Sequence, residues 1–110
     1  AWEHRTSISP GAELGELRAA VNQTIGQLDA GKLRVAEKID GQWVTHQWVK
    51  KAVLLSFRLN DNELMRAGDL TFFDKVKTKF SHIDDAAVRA SGVRIVPPAV
   101  ARHGSYLGKN

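Results

Sequence analysis

The chain has 110 residues, of which 43% are hydrophobic and 25% are charged, and it carries a formal net charge of +4. These values are typical of a single soluble globular domain, and the positive charge favours anionic partners. Cysteine is absent and no apolar run approaches the roughly 20 residues of a membrane helix, so the sequence excludes disulfides and thiolate zinc sites and predicts no membrane span.

The first predicted elements are a short helix around Trp2 and an amphipathic helix that starts at Ser9-Pro10. Serine can cap a helix and proline is tolerated at the first helical position. Gly31 is expected to end this helix because glycine readily adopts the left-handed closing conformation. The apolar stripe consists of Leu14, Leu17, Val21, Ile25 and Leu28.

Asp40-Gly41 predicts a β-hairpin with a two-residue turn, because the favoured turn needs positive φ at both positions. The strands are expected at residues 33–39 and 42–45. In this register Lys38 faces Trp43 on one side, where a cation–π contact could form. The predicted cross-strand pairs are Ile39 with Gln42, Lys38 with Trp43, and Glu37 with Val44.

A second helix is expected directly after the hairpin, with Thr45 as its cap. It is broadly apolar, so it should be the most buried element and should pack with the hairpin as one unit. Its predicted apolar face carries Trp48, Val49, Ala52, Val53, Leu55, Phe57 and Leu59.

The second half of the chain has weaker patterns. Residues 60–69 resemble a loop, and residues 70–76 have strand-like content. Ser81 and Asp84 resemble a capping box before a short helix that Gly92 ends. Residues 93–96 are expected to form a short strand, and Pro97-Pro98 to impose an extended segment.

Few residues carry a recognisable catalytic or metal-binding pattern. No two histidines have the spacing of a metal pair, so no metal site is predicted. His103 and Ser105 lack a nucleophile-elbow sequence and are interpreted as a polar turn. Asp84 and Asp85 are interpreted as charges that stabilise a helix N-terminus. The histidines are His4, His46, His82 and His103.

The lysines of residues 75–79 alternate with apolar residues close to three phenylalanines, which could mimic a nucleic-acid-binding surface. The phenylalanines are expected to fill the core instead, and no nucleic-acid or phosphate-loop motif is present. The sequence therefore predicts neither a nucleic-acid partner nor a membrane partner. The phenylalanines are Phe72, Phe73 and Phe80.

Arg94 is positionally unusual, because it lies between apolar residues immediately before Pro97-Pro98. Its planar guanidinium could hold a carboxylate of a ligand in a bidentate manner. The residue pattern alone favours the alternative, an internal salt bridge with one of the twelve acidic residues. The pattern leaves both interpretations open.

Residues 33–48 and 50–58 closely resemble the N-terminal domain of the tetrahydrodipicolinate N-succinyltransferase family. The resemblance resumes at residues 73–76, at Lys79-Phe80 and at residues 92–98. It implies an acyltransferase that moves succinyl from succinyl-CoA, its cosubstrate, to the amino group of ring-opened tetrahydrodipicolinate in diaminopimelate and lysine biosynthesis. It also implies a cytoplasmic homotrimer, in which a largely helical N-terminal domain precedes a left-handed parallel β-helix of hexapeptide repeats.

The resemblance further implies that the catalytic carboxylates and the CoA surface belong to the β-helix, so no catalytic or cofactor-binding residue is expected in this chain. Arg94 matches a substrate-contacting arginine of the family and is expected to hold one carboxylate of the dicarboxylate substrate.

The sequence therefore predicts a mostly helical α+β domain over residues 1–98, including the Asp40-Gly41 hairpin. Residues 99–110 are expected to be the first coil of a β-helix that is cut short, and either to fray without neighbouring coils or to be ordered by something outside that fold. The predicted function is that of a front domain, inactive alone. The alternative is a stand-alone basic module that binds nucleic acid or a protein partner.

Overall fold

The apolar residues that recur at helical spacing in the first half of the chain form two helices that pack on each other. The structure, a computed structural model, describes residues 1–11 and 14–109. These residues form an α+β fold of helices and two antiparallel hairpins, as predicted. In chain order the elements are a 3₁₀ helix (Trp2–Ser7), α1 (Gly15–Asp29), β1 (Ala36–Ile39), β2 (Gln42–Thr45), α2 (Gln47–Leu59), β3 (Glu63–Ala67), β4 (Leu70–Asp74) and α3 (Asp85–Ser91).

The start predicted for α1 is wrong, because the helix begins at Gly15 rather than at Ser9-Pro10. Ile8 directly follows the 3₁₀ helix in an extended conformation and is buried in the core. The predicted helical residues Ala12 and Glu13 lie outside the described residues. The predicted end is confirmed, since α1 stops at Asp29 and Gly31 has a φ of +75°.

The core lies between α1, α2 and the 3₁₀ helix. Polar bonds also connect the two long helices. Arg18 of α1 donates to the backbone oxygen of Leu59 at 2.7 Å and to Asn60 Oδ1 at 3.2 Å. The bond to Leu59 satisfies a backbone carbonyl in the last turn of α2 that has no partner within the helix. The buried cluster consists of Ile8, Val21, Leu55 and Leu59.

Helix α2 carries more buried residues than any other described element, as predicted. Two details of that prediction are wrong. Trp48 is 57% exposed, and the adjacent Val49 takes the buried position. His46, not Thr45, is the N-cap, and it makes no side-chain capping bond.

The register of the first hairpin is confirmed at all three predicted pairs. Asp40 and Gly41 have φ values of +49° and +78°, as the predicted turn requires. The expectation that the hairpin packs on α2 is wrong, because β2 is exposed along its length and neither strand contacts the helix. The hairpin is instead tied through His46, whose N–H donates to the Val35 oxygen and whose Nε2 lies 2.8 Å from Glu37 Oε1.

A second hairpin occupies the region predicted to be a loop. Strand β3 pairs with β4 around Gly68-Asp69, and Gly68 has a φ of +62°. The prediction failed because the residues that flank the Gly68-Asp69 turn signal do not alternate clearly between apolar and polar. The strand predicted after Leu70 is confirmed as β4.

Asp84 caps α3 by accepting from the Ala87 N–H at 2.7 Å, so the capping role predicted for Ser81 is wrong. Gly92 ends this helix in the left-handed conformation, as predicted. The strand predicted at residues 93–96 is absent from the described structure because no neighbouring strand pairs with it. The predicted extension at Pro97-Pro98 is also wrong, since a turn closed by the Ala99 N–H on the Val96 oxygen replaces it.

Candidate functional site

Arg94 lies just after α3, in the segment that connects Gly92 to the turn at Pro97-Pro98. It is exposed and borders an open pocket of about 420 Å³. The other residues that line this pocket are Asp85, Val88, Arg89, Gly92, Val93 and Ile95.

The acidic residue of this pocket is already paired with a different arginine. Arg89 Nε lies 2.8 Å from Asp85 Oδ2, one helical turn away. Arg94 forms no hydrogen bond or ion pair with any residue in the part of the chain that the structure describes. Among these residues, Arg94 therefore does not form the internal salt bridge that was considered as an alternative. The Arg94 side chain borders the open pocket.

A larger cleft of about 1110 Å³ opens between the two long helices and residues 75–83. Its floor is apolar and its rim is basic. The segment of residues 101–104 closes one side, because the Lys79 N–H donates to the Ala101 oxygen and the His103 N–H donates to the Lys77 oxygen. The fraying predicted for the end of the chain is therefore wrong for these residues, which are held by backbone pairing.

Asp29, the last residue of α1, is the polar centre of this cleft. Its Oδ1 lies 2.9 Å from Lys79 Nζ and accepts the Gly104 N–H at 2.9 Å. His103 Nδ1 is 3.4 Å away, and Lys79 Nζ also donates to the Asp29 backbone oxygen at 2.7 Å. The Asp29 carboxylate thus connects the end of α1 to the lysine-rich segment of residues 75–79 and to the segment of residues 101–104.

The pKa of Asp29 lies below its ordinary value of 3.8. Partial burial is the largest single influence, and it raises the pKa by disfavouring the charged form. The hydrogen bonds from Lys79 and Gly104, with the charges of His103 and Lys79, together outweigh it. Asp29 is therefore a stable anion that acts as a structural anchor.

A second ion pair fixes the same segment at the cleft rim. Arg102 Nη2 lies 2.6 Å from Asp74 Oδ2, at the end of β4. The Lys75 N–H is the first cause that lowers the pKa of Asp74, and Arg102 adds to it. The carboxylates of Asp29 and Asp74 are thus both held in ion pairs within the chain.

The remaining candidate residues do not assemble into a catalytic group. Ser105 Oγ donates to the Arg102 oxygen at 2.7 Å, which agrees with the predicted polar turn. His46 is paired with Glu37 on the first hairpin. Within residues 1–11 and 14–109, no group of three or more potential ligands could hold a metal ion, and no helix is long and apolar enough to cross a membrane.

The expectation that the phenylalanines fill the core is wrong. Phe73 is 69% exposed, while Phe72 and Phe80 are half-buried. The cation–π contact anticipated between Lys38 and Trp43 is also not formed, and Trp43 is 73% exposed. Among the described residues, cations instead approach the Trp2 ring from Arg5 and Lys51.

Comparison with known proteins gives a match over the first half of the chain. A family model described as tetrahydrodipicolinate N-succinyltransferase N-terminal matches residues 1–59. These residues contain the first hairpin and both core helices.

Curated relatives match along the whole chain. A 2,3,4,5-tetrahydropyridine-2,6-dicarboxylate N-succinyltransferase of Albidiferax ferrireducens is 62% identical over 110 residues, which cover 99% of this chain. Proteins of the same name from Bordetella avium and Pectobacterium atrosepticum are 58% and 57% identical over all of it. The chain spans 40% of the length of each of these relatives.

Proposed function

Because the chain belongs to the tetrahydrodipicolinate N-succinyltransferase N-terminal family, we propose that it is the front domain of that acyltransferase. The complete protein would move a succinyl group from succinyl-CoA to the amino group of ring-opened tetrahydrodipicolinate. This step would serve diaminopimelate and lysine biosynthesis in the cytoplasm, in a homotrimer. The observation that carries the proposal is identity of 57–62% along the whole chain to proteins with that name.

The reaction would need little proton chemistry from this chain. The substrate amine attacks the thioester carbonyl, a C–N bond forms, the C–S bond breaks, and the thiol leaves with the proton that the amine loses. We assign none of these steps to the described residues, because Asp29 in the large cleft and Asp74 beside its rim are held in internal ion pairs. The contribution of this chain would be to bind and orient the substrate.

We propose Arg94 as the residue that holds one substrate carboxylate. Its exposure, the open pocket beside it and the pairing of Asp85 with Arg89 all support this role. A guanidinium presents two parallel N–H groups that match the two oxygens of a carboxylate. Since arginine stays protonated at any relevant pH, Arg94 would position the substrate without transferring a proton.

Replacing Arg94 in the full-length enzyme tests this assignment. Arg94→Ala should raise the KM for the dicarboxylate roughly 10- to 100-fold, because hydrogen bonds to charged groups contribute about 1.5–3 kcal/mol. The KM for succinyl-CoA should remain nearly unchanged. The dicarboxylate KM of Arg94→Lys should lie between those of the unchanged enzyme and of Arg94→Ala, because lysine keeps the charge but lacks the planar guanidinium. Steady-state kinetics with each substrate varied in turn gives these values.

Arg34→Ala is the matched control, since Arg34 is also exposed and also has no polar partner among the described residues. It should leave both KM values close to those of the unchanged enzyme. An Arg94→Ala enzyme with an unaltered dicarboxylate KM would remove Arg94 from the substrate site.

A further inference from the structure

The hairpin formed by β3 and β4 lacks any covering element in the described structure. It packs on no other helix or strand of residues 1–11 and 14–109. Leu64 and Phe73 are cross-strand partners and are 57% and 69% exposed, and Leu70 is 59% exposed. A two-stranded hairpin alone is only marginally stable in water, so this apolar surface favours contact with another protein surface.

The same hairpin is acidic. Residues 61–74 contain four acidic residues and one basic residue, Arg66, so their formal charge is −3. Asp74 is already paired with Arg102 within the chain, so a formal charge of −2 on the hairpin is available to a partner. The other acidic residues are Asp61, Glu63 and Asp69.

The large cleft has the opposite charge above an apolar floor. Its lining contains four basic residues and, among the described residues, Asp29 alone is acidic, so the formal charge is +3. Lys79 and Arg102 are neutralised by their ion pairs with Asp29 and Asp74. The other two lysines, Lys75 and Lys77, give the cleft a formal charge of +2 that is available to a partner. The floor includes Ile25, Val53, Phe57, Val76 and Phe80.

We propose that the β3–β4 hairpin of one copy of this chain docks in this basic cleft of a second copy. The hairpin presents exposed apolar side chains and the cleft presents half-buried ones, and their formal charges balance, −2 against +2. The cleft is open and has a volume of about 1110 Å³, so it can admit side chains of a protein segment. The hairpin stays outside its own cleft because β4 runs directly into the rim, where Arg102 fixes Asp74.

The docking surfaces differ, so the contact is heterologous and can repeat from copy to copy. It needs neither succinyl transfer nor Arg94 and is therefore independent of the proposed function. Its dependence on exposed charges also makes it sensitive to salt. Self-association of the 110-residue chain is the direct readout.

Sedimentation velocity on two charge-reversed variants tests the contact. Glu63→Lys/Asp69→Lys changes the hairpin, and Lys75→Glu/Lys77→Glu changes the cleft. Each should weaken self-association of the chain at least tenfold. An equimolar mixture should restore association, because the unchanged hairpin of the cleft variant meets the unchanged cleft of the hairpin variant, and the two reversed surfaces also have opposite charges. Glu3→Lys/Glu16→Lys is the control, since it shifts the net charge as much as the hairpin variant does and should associate like the unchanged chain.

The apolar part of the contact has its own test. Phe73→Ser should also weaken association about tenfold, whereas Trp43→Ala on the other hairpin should not, although Trp43 is equally exposed. Circular dichroism of every variant verifies that it is folded. The proposal is overturned if the unchanged chain stays monomeric, if the mixture fails to associate, or if only the hairpin variants lose association, which would indicate edge-to-edge pairing of hairpins.

Discussion

Asp29 carries a negative charge in the last turn of α1, where the helix dipole favours cations. Its position is stable because Lys79, His103 and the Gly104 N–H all approach the same oxygen. Gly104 itself has a φ of +104°, and a Cβ there would lie 3.3 Å from Ile25 Cγ2. The close approach of this segment to α1 therefore needs both the carboxylate and the glycine.

Lowering the pH should reduce the free energy of unfolding because Asp29 becomes protonated. The folded pKa is lowered, so the stabilisation is complete above the ordinary value of 3.8 and is lost as the pH falls through the folded pKa. Asp29→Asn should reduce the free energy of unfolding by about 1 kcal/mol at pH 7, and this difference should shrink below pH 3.8. Urea unfolding of both proteins across this pH range measures the effect, and a constant difference would contradict it.

The importance of Asp29 could not be predicted from the sequence, whereas Arg94 could be singled out. Arg94 is conspicuous from its immediate neighbours, an apolar strand-like run and two prolines. The partners of Asp29 are 50 and 75 residues away along the chain, and only the fold brings them together. The one available signal was an acidic residue at a helix C-terminus, where such a charge needs a compensating partner.

At the scale of elements, the two hairpins show what local chemistry determines. Asp40-Gly41 fixed the register of the first because both residues adopt positive φ, a strictly local requirement. The second was missed although Gly68-Asp69 is also a turn signal, since the flanking residues do not alternate clearly between apolar and polar. Neither pattern could predict whether a hairpin packs on α2, which depends on distant side chains.

Helix α2 provides the clearest stability prediction. Leu59 is 1% exposed within the core cluster, so Leu59→Ala should reduce the free energy of unfolding by about 2–5 kcal/mol through lost burial and a residual cavity. Leu54→Ala makes the same chemical change on the same helix at a position that is 41% exposed, and it should have a much smaller effect. Urea unfolding monitored by circular dichroism compares them, and equal losses would argue against this core.

The whole molecule is flat and more extended than a compact domain of its length. Its extents are 43 × 42 × 21 Å, and its radius of gyration is 15.9 Å, against about 13 Å expected for 110 residues. The difference arises because both hairpins extend from a small two-helix core without packing on it. Such a shape leaves apolar surface available to further protein, which agrees with a front domain.

The isolated 110-residue chain should therefore bind substrate weakly and catalyse nothing. Asp29 in the cleft and Asp74 beside it are held in ion pairs within the chain, and the pocket of Arg94 is open to water. Thiol release from succinyl-CoA should stay at the uncatalysed rate, while a full-length protein of the family turns over under the same conditions. Titration with the dicarboxylate should still shift the NMR signals of Arg94 and Ile95, which separates an incomplete enzyme from a misfolded one. Turnover by the isolated chain that Arg94→Ala abolishes would show instead that these 110 residues contain the whole catalytic site.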